Sequence, residues 1–107
     1  MRKKESQIMD RLREVAQKVI PEGGHVWLYG SRSRGDARPD SDWDLLILLD
    51  KDKIVNQDYD KIVYPFTRLG WETDEDIVPV IYTTKDWSEE SFFPFQQNVE
   101  RDKIIIA

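Results

Sequence analysis

The sequence predicts an α/β domain in which helices and strands alternate along residues 1–107. Near the N-terminus, apolar residues recur at steps of three and four, the spacing of one helical face. In the middle of the chain, Leu45–Leu49 is a run of five aliphatic residues, too short for a buried helix. Such a run is typical of a central strand covered on both faces. A chain of this length supports one hydrophobic core, so we expect a single domain.

The first predicted elements are a covering helix and a buried strand. The helix extends from Glu5 to Ile20, and Pro21–Gly24 ends it because proline cannot continue the hydrogen-bond ladder. The strand is His25–Tyr29, a short apolar and aromatic run between glycines. The apolar face of the helix consists of Ile8, Leu12, Val15 and Val19.

The second half of the chain predicts a helix, a strand and a further short helix. Apolar spacing predicts a helix over about Asn56–Tyr64, which Pro65 must kink or restart. Ile77–Tyr82 is the third predicted strand, and Pro79 within it favours an edge position, where one missing N–H donor is tolerated. A short helix is expected to begin near Ser91, followed by an apolar tail.

The composition limits the possible functions. The formal net charge is -5, so no overall basic field attracts nucleic acid, and any attraction of phosphate must be local. The chain has no cysteine, which excludes disulfides and cysteine-based metal sites. Neither a signal peptide nor a membrane-spanning stretch can be recognised, so we expect a soluble cytoplasmic protein without a membrane partner.

The stretch after the first strand predicts an anion site. If a short helix begins just after Ser31, its unpaired N–H groups, its dipole and the Ser31 hydroxyl converge on one point. Gly30 lets an anion approach the backbone closely. Arg32, Arg34 and Arg38 can add charge in a geometry that suits phosphate. Taken alone, the turn is more typical of an ordinary serine cap beside solvated arginines.

Two aspartates at the start of the central strand predict a metal site. Asp42 and Asp44 project to one face because side chains alternate along a strand, whereas Trp43 points to the other face. The two carboxylates repel each other unless a cation lies between them. Mg²⁺ suits such hard oxygen ligands and usually binds phosphate oxygens as well. The alternative is a solvated acidic turn before a strand.

A third carboxylate is predicted from the acidic run Glu72–Asp76. Asp76 directly precedes its apolar strand, as Asp44 precedes Leu45, so the two side chains lie together if the strands are parallel neighbours. Asp74 would share that face, and we favour Asp76. Three carboxylates opposite a phosphate-binding turn predict a two-metal site for phosphoryl transfer.

Together these residues resemble the signature of a known superfamily. Gly30 and Ser31, followed after ten residues by Asp42-x-Asp44, are similar to the motif of polymerase-beta-type nucleotidyltransferases, in their minimal one-domain branch. The resemblance is strong over Val26–Leu49 and weaker over Asp76–Tyr82. It implies a mixed sheet covered by helices on one side.

The resemblance also implies a site and a reaction. The Gly30–Ser31 turn would hold the β and γ phosphates of ATP, and the three aspartates would hold two Mg²⁺ ions. An acceptor hydroxyl would then attack the α-phosphorus while pyrophosphate leaves, with Asp76 as a metal ligand or proton acceptor. One departure is Trp43, which is bulkier than the aliphatic residue usual between the aspartates.

The acceptor is the part of the reaction that the sequence describes least. Relatives that modify small molecules or RNA carry a further helical domain, for which 107 residues leave no room. Minimal relatives resemble antitoxins paired with a HEPN ribonuclease, and some transfer AMP to a tyrosine of that partner. We therefore expect a protein adenylyltransferase, with the Arg32–Arg38 loop and the C-terminal tail as candidate docking surfaces. The alternatives are transfer to a small molecule in a pocket built by dimerisation, and a nucleotide-binding module that masks its partner without turnover.

Overall fold

The computed structural model describes residues 1–107 and contains one mixed sheet with helices on both faces. None of its helices combines the length and the apolar character needed to cross a bilayer. The helices are α1 Lys3–Val19, α2 Ser31–Arg34, α3 Asn56–Asp58, α4 Tyr64–Thr73, α5 Thr84–Glu89 and α6 Pro94–Asp102. The strands are β1 His25–Tyr29, β2 Trp43–Leu49, β3 Ile77–Thr83 and β4 Ile104–Ile105.

The sheet has the strand order β3-β2-β1-β4. Strands β2 and β3 are parallel, whereas β1 is antiparallel to both β2 and β4. The predictions of β2 as a central strand and β3 as an edge strand are confirmed. Pro79 pairs with Leu45 in register, and the edge position explains why a residue without an N–H donor is tolerated in β3.

The larger core lies on one face of the sheet, under α1 and α4. Strand β2 is buried almost throughout, and its alternate residues serve the two faces. This core consists of Ile8, Met9, Leu12, Ala16, Val26, Leu28, Trp43, Leu45, Ile47, Leu49, Ile62, Phe66, Leu69, Ile77 and Ile106.

The second face also carries helices, which differs from the one-sided cover that the resemblance implies. Trp87 of α5 and Val99 of α6 pack on Leu46 and Leu48 of β2 and form a smaller cluster. These two short helices cover only part of the face. The beginning of β2, where Asp44 lies, stays at the margin of that cover.

The helix after β2 is longer than predicted. Helix α3 continues into a π-helical turn, Tyr59–Val63, and then into α4, which ends at Thr73. Pro65 lies in the first turn of α4, where a missing N–H costs little, so the wider turn before it lets the helix continue. The apolar side of the combined helix faces the larger core.

The C-terminal region contains one element that was not predicted. The tail forms β4, a two-residue strand antiparallel to β1, so the sheet has a fourth strand. Two helices rather than one lie before it. Helix α5 begins at Thr84 and is capped by Thr83, whose side chain accepts a hydrogen bond from the N–H of Asp86 at 3.0 Å. Two paired residues give too weak a pattern to recognise from sequence.

Candidate active site

The turn after β1 has the geometry that only glycine adopts readily. Gly30 has φ 77° and ψ -158°, and α2 begins at the next residue, Ser31. The Gly30 carbonyl accepts hydrogen bonds from the Ser33 hydroxyl at 2.8 Å and from the N–H groups of Ser33 and Arg34. The chain therefore turns sharply at the end of β1 and presents the start of a short helix.

The Asp44 carboxylate lies directly against this turn. A side chain on Gly30 would collide with Oδ2 of Asp44, and its Cβ would be 3.3 Å from Cγ. Asp44 is half-buried and lies on the same face of β2 as Leu46 and Leu48. Tyr29 pairs with Asp44 in the antiparallel register, so the two side chains share that face. The structure thus brings the Gly-Ser turn and the central-strand carboxylate together.

The charges around Asp44 favour a cation at this point. Burial raises the pKa of Asp44, the negative charge of Asp42 raises it further, and Arg34 opposes the change. Burial, together with the charge of Asp44, also raises the pKa of the Tyr29 phenol to about 12. Two acidic side chains and a neutral phenol therefore face one another at the end of the sheet.

Asp76 lies beside Asp42 along the backbone. Trp43 of β2 pairs with Ile77 of β3, and the N–H of Trp43 donates to the Asp76 carbonyl at 2.8 Å. The predicted parallel neighbours are therefore confirmed. The structure nevertheless gathers no three His, Cys, Asp or Glu side chains closely enough to hold a metal ion.

Asp74 and Asp76 line a separate depression. Its other lining residues include Lys4 and Asp40, whereas Asp42 and Asp44 do not line it. Asp74 ends α4 in the left-handed conformation with φ 57°, which an aspartate tolerates. Asp74 therefore has a structural position at a helix end, and Asp76 is the one that continues into β3.

The arginines of the turn have three different surroundings. Arg34 is partly exposed, with its guanidinium 3.4 Å from a carboxylate oxygen of Asp36 and 3.4 Å from one of Asp102. Arg38 is exposed. Arg32 is only 4% exposed and ion-pairs with Glu5 at 3.2 Å. This differs from the expectation that Arg32 binds the nucleotide, because its charge is already used inside the chain.

The carboxylates fit a divalent cation bound together with phosphate. Mg²⁺ is usually held by one or two carboxylates plus phosphate oxygens and waters, rather than by a complete cage of protein ligands. Asp42 and Asp44 supply such a pair. The pKa of Asp44 is raised first by burial and then by the charge of Asp42, and a cation would offset both effects.

The candidate site is an open surface. None of the four cavities of the molecule is lined by Gly30, Ser31, Asp42 or Asp44. Ser33 and Arg34, which follow the turn, line a cavity that does not include the aspartates.

Sequence reasoning missed the apolar neighbours of Asp44. Val78 pairs with Asp44 across β2 and β3 and is 41% exposed. On the other side, the Tyr29 ring lies edge-to-face with the Phe95 ring, with 5.5 Å between centroids. The apolar run of β3 was visible in the sequence, but its register against β2 was not.

The sequence profile of the nucleotidyltransferase domain matches residues 8–105, nearly the whole chain. The chain belongs to this family. No curated protein has a sequence that matches the chain. The match extends beyond the Gly-Ser turn and the paired aspartates to the elements that support them, from within α1 to β4.

Solved structures share the fold of this nucleotidyltransferase domain. A toxin–antitoxin complex with AMP-PNP is similar with a TM-score of 0.63 and 20% identity, over 92% of this chain and 72% of that one. A mutant of the toxin–antitoxin pair MntA–HpeT is similar with a TM-score of 0.62 and 18% identity, over 92% of this chain and 72% of that one. A tri-AMPylated HEPN toxin of Shewanella oneidensis in complex with MNT antitoxin is similar with a TM-score of 0.59 and 17% identity, over 96% of this chain and 71% of that one.

Proposed function

We propose that this nucleotidyltransferase domain transfers AMP from ATP to a hydroxyl group of a partner protein. The observation that carries the proposal is the contact between the Asp44 carboxylate and the Gly30 turn, with Asp42 beside it. Phosphoryl transfer needs a phosphate-binding turn and hard oxygen ligands for Mg²⁺ at one point. Gly30, Ser31 and the two aspartates supply both.

The reaction needs no nucleophile from the chain. The acceptor oxygen forms a bond to the α-phosphorus, the bond from that phosphorus to the bridging oxygen breaks, and pyrophosphate leaves. The hydroxyl proton passes to a carboxylate or to water. When bound, two Mg²⁺ ions would neutralise phosphate charge and lower the pKa of the acceptor hydroxyl. Asp42 and Asp44 are the proposed ligands, with Asp76 as the third carboxylate.

The proposed phosphate contacts come from the turn and from Arg34. The first N–H groups of a helix have no partner within it, and Ser31 stands at that position in α2. Arg34 is near enough to Asp44 to oppose the rise in its pKa, and its guanidinium is partly exposed. A triphosphate would compete with Asp36 and Asp102 for this arginine.

The open surface favours a protein as the acceptor. A small acceptor needs walls to hold it, and none of the cavities of this chain is lined by Asp44. Instead, apolar side chains lie exposed on the Asp44 face of the sheet and on the segment that leads into α6. We call this the aromatic patch: Val78 41%, Phe92 90%, Phe93 57% and Phe95 39% exposed. Exposed aromatic clusters mark protein interaction sites.

We prefer the aromatic patch to the docking surfaces expected from the sequence. In the Arg32–Arg38 loop, Arg32 is buried, whereas Arg34 and Arg38 are exposed. In the C-terminal tail, β4 pairs with β1 at the edge of the sheet away from β3. The patch, in contrast, is linked to Asp44 through the contact between Phe95 and Tyr29.

A HEPN-type toxin is the proposed partner. Two of the similar structures are described as toxin–antitoxin complexes and a third as an AMPylated HEPN toxin with its MNT antitoxin. Those descriptions support an antitoxin role for this chain in which AMP is the transferred group.

Calorimetry tests the nucleotide site without any acceptor. ATP should bind more tightly with Mg²⁺ than without it, since the cation joins the phosphates to Asp42 and Asp44. Asp44→Asn should remove this dependence on Mg²⁺, whereas Asp52→Asn, on an exposed loop after β2, should keep it. Equal affinity with and without Mg²⁺ in the wild type would contradict the shared site.

Transfer to a small molecule is the second enzymatic function. It requires a closed acceptor pocket, which a second copy of the chain would have to complete over Asp44. A labelled nucleotide on a small hydroxyl compound, formed by the isolated protein, would favour that function over transfer to a protein.

A further inference from the structure

Arg32 is a buried cation that connects several segments of the chain. One guanidinium nitrogen, Nη1, donates to Glu5 of α1 at 3.2 Å. The other, Nη2, donates to the carbonyl groups of Pro39 at 3.2 Å and Ser41 at 2.9 Å. The plane of the group lies over the Trp43 ring, with Cζ 4.7 Å from the ring centroid. Each end of the fork is therefore committed to a different part of the structure.

A second acidic partner lies on the other side of the guanidinium. Glu75, whose side chain is 7% exposed, has a carboxylate oxygen 3.9 Å from Nη2 of Arg32 and another 3.3 Å from Nζ of Lys4. Glu75 belongs to the acidic run before β3, and no local pattern predicts that its side chain is buried. One arginine thus joins α1, α2, the loop before β2 and the loop before β3.

Three partners of Arg32 are each next to a candidate carboxylate. Ser41 precedes Asp42, Trp43 separates Asp42 from Asp44, and Glu75 precedes Asp76. Arg32 itself follows Ser31. A movement of the guanidinium would therefore displace the aspartates relative to the Gly-Ser turn.

We propose that Arg32 is a positioning residue, which fixes the segments of Asp42, Asp44 and Asp76 against the Gly30–Ser31 turn and makes no contact with the nucleotide. The proposal rests on the proposed function only in taking these aspartates as the active site. The other part of the proposal is that one guanidinium orders the loop before β2 and the loop before β3, and this can be tested in the chain without ligand.

Lysine cannot replace this arrangement. An ammonium is a point charge without a planar fork, so it cannot serve Glu5, two carbonyl groups and the Trp43 ring at once. Arg32→Lys keeps the charge opposite Glu5 and Glu75, which limits the damage to the fold, but it releases the loops. Arg34→Met is the matched control, because Arg34 is the partly exposed arginine of the same short helix.

Amide hydrogen exchange in the chain without ligand is the decisive measurement. The N–H of Ser41 donates to Arg38 at 3.0 Å and that of Trp43 to Asp76 at 2.8 Å, so both report on the loops. In Arg32→Lys these two amides should exchange at least about tenfold faster, while amides of Leu12 in α1 stay unchanged. Arg34→Met should leave the exchange of Ser41 and Trp43 as in the wild type.

Nucleotide binding then separates positioning from direct contact. Arg32→Lys with unchanged exchange at Ser41 and Trp43 but weaker ATP binding would overturn the proposal and make Arg32 a phosphate ligand. Should Arg32→Lys fail to fold, Glu5→Gln is the second variant, because it keeps an acceptor for Nη1 but removes its charge. Unchanged exchange of both amides in Glu5→Gln would also overturn the proposal. If the wild type binds no ATP, the proposed function fails while the exchange result still decides the role of Arg32.

Discussion

The Asp44 carboxylate occupies the space that a side chain on Gly30 would need. Oδ2 of Asp44 lies too close to admit a Cβ at position 30, and Gly30 has a backbone conformation with φ 77°. The aspartate of β2 therefore requires a glycine in the turn. Arg32 lies in the segment between these two residues and donates hydrogen bonds to the carbonyl groups of Pro39 and Ser41 in the same segment.

Gly30→Ala should damage both the fold and the site. The alanine pays a backbone strain of about 1–3 kcal/mol in this region of conformational space, and its Cβ forces Asp44 away from the turn. Gly35→Ala is the control, because it has a positive φ of 82° but no neighbour within 4 Å of its Cβ. Urea unfolding should show a loss of stability in both variants, and only Gly30→Ala should lose Mg²⁺-dependent ATP binding. Retained binding in Gly30→Ala would contradict the contact.

Asp44→Asn should stabilise the chain at neutral pH. The pKa of Asp44 is raised by folding, so the folded state disfavours the ionised form. The resulting loss in the free energy of unfolding is absent below the ordinary aspartate pKa of about 3.9 and fully present above the raised pKa. The gain at pH 7 should be up to about 1 kcal/mol, since solvent screens a half-buried charge.

Urea unfolding over a pH series measures this difference. The gain from Asp44→Asn should shrink as the pH falls towards about 4. The control Asp52→Asn should change the free energy of unfolding little at pH 7, because Asp52 is exposed and has no ion pair in the structure. A gain that grows on acidification would have the wrong sign for a raised pKa.

The aromatic patch should contribute to partner binding and little to stability. Phe92 is 90% and Phe93 57% exposed, so replacing both by serine should change the free energy of unfolding by no more than about 0.5 kcal/mol. The dissociation constant for a HEPN partner should rise at least about tenfold, the size of effect expected from losing aromatic contacts. Titration calorimetry of the two purified proteins measures it.

Trp71→Ser is the matched control for the patch. Trp71 is 70% exposed and lies on α4, on the other side of the sheet. Its replacement should leave partner binding unchanged. If Trp71→Ser raised the dissociation constant more than the replacement of Phe92 and Phe93 does, the docking surface would lie on α4 instead.

Local patterns predicted the parts of the structure that depend on sequence neighbours. The Gly-Ser turn, the alternation of Asp42 and Trp43, and the edge position signalled by Pro79 each follow from two or three adjacent residues. The prediction that Asp44 and Asp76 lie close together depended on β2 and β3 being parallel neighbours, and the register confirms that pairing. The family resemblance is confirmed by the match over residues 8–105.

The remaining features depend on contacts between distant residues. Arg32 looks like a solvated arginine in the sequence, and only the approach of Glu5 and Glu75 makes its burial possible. In the same way, β4 exists because Ile104 and Ile105 meet β1 in space. The open surface around Asp44 is a property of the assembled fold, which no local pattern encodes.

The intact mass of the partner tests the central claim most directly. The chain and a HEPN-type partner are purified separately and incubated with ATP and Mg²⁺, and the partner is then weighed by mass spectrometry. The wild type should add one or more AMP groups to the partner. Asp42→Asn and Asp44→Asn should stay folded, but their rate of AMP transfer should fall by more than about 10- to 100-fold. That range is the loss of activity when a residue that only supports a metal ligand is removed, and losing a direct ligand should cost more. A partner that binds the wild-type chain tightly yet gains no mass would contradict transfer and leave a module that masks its partner without turnover.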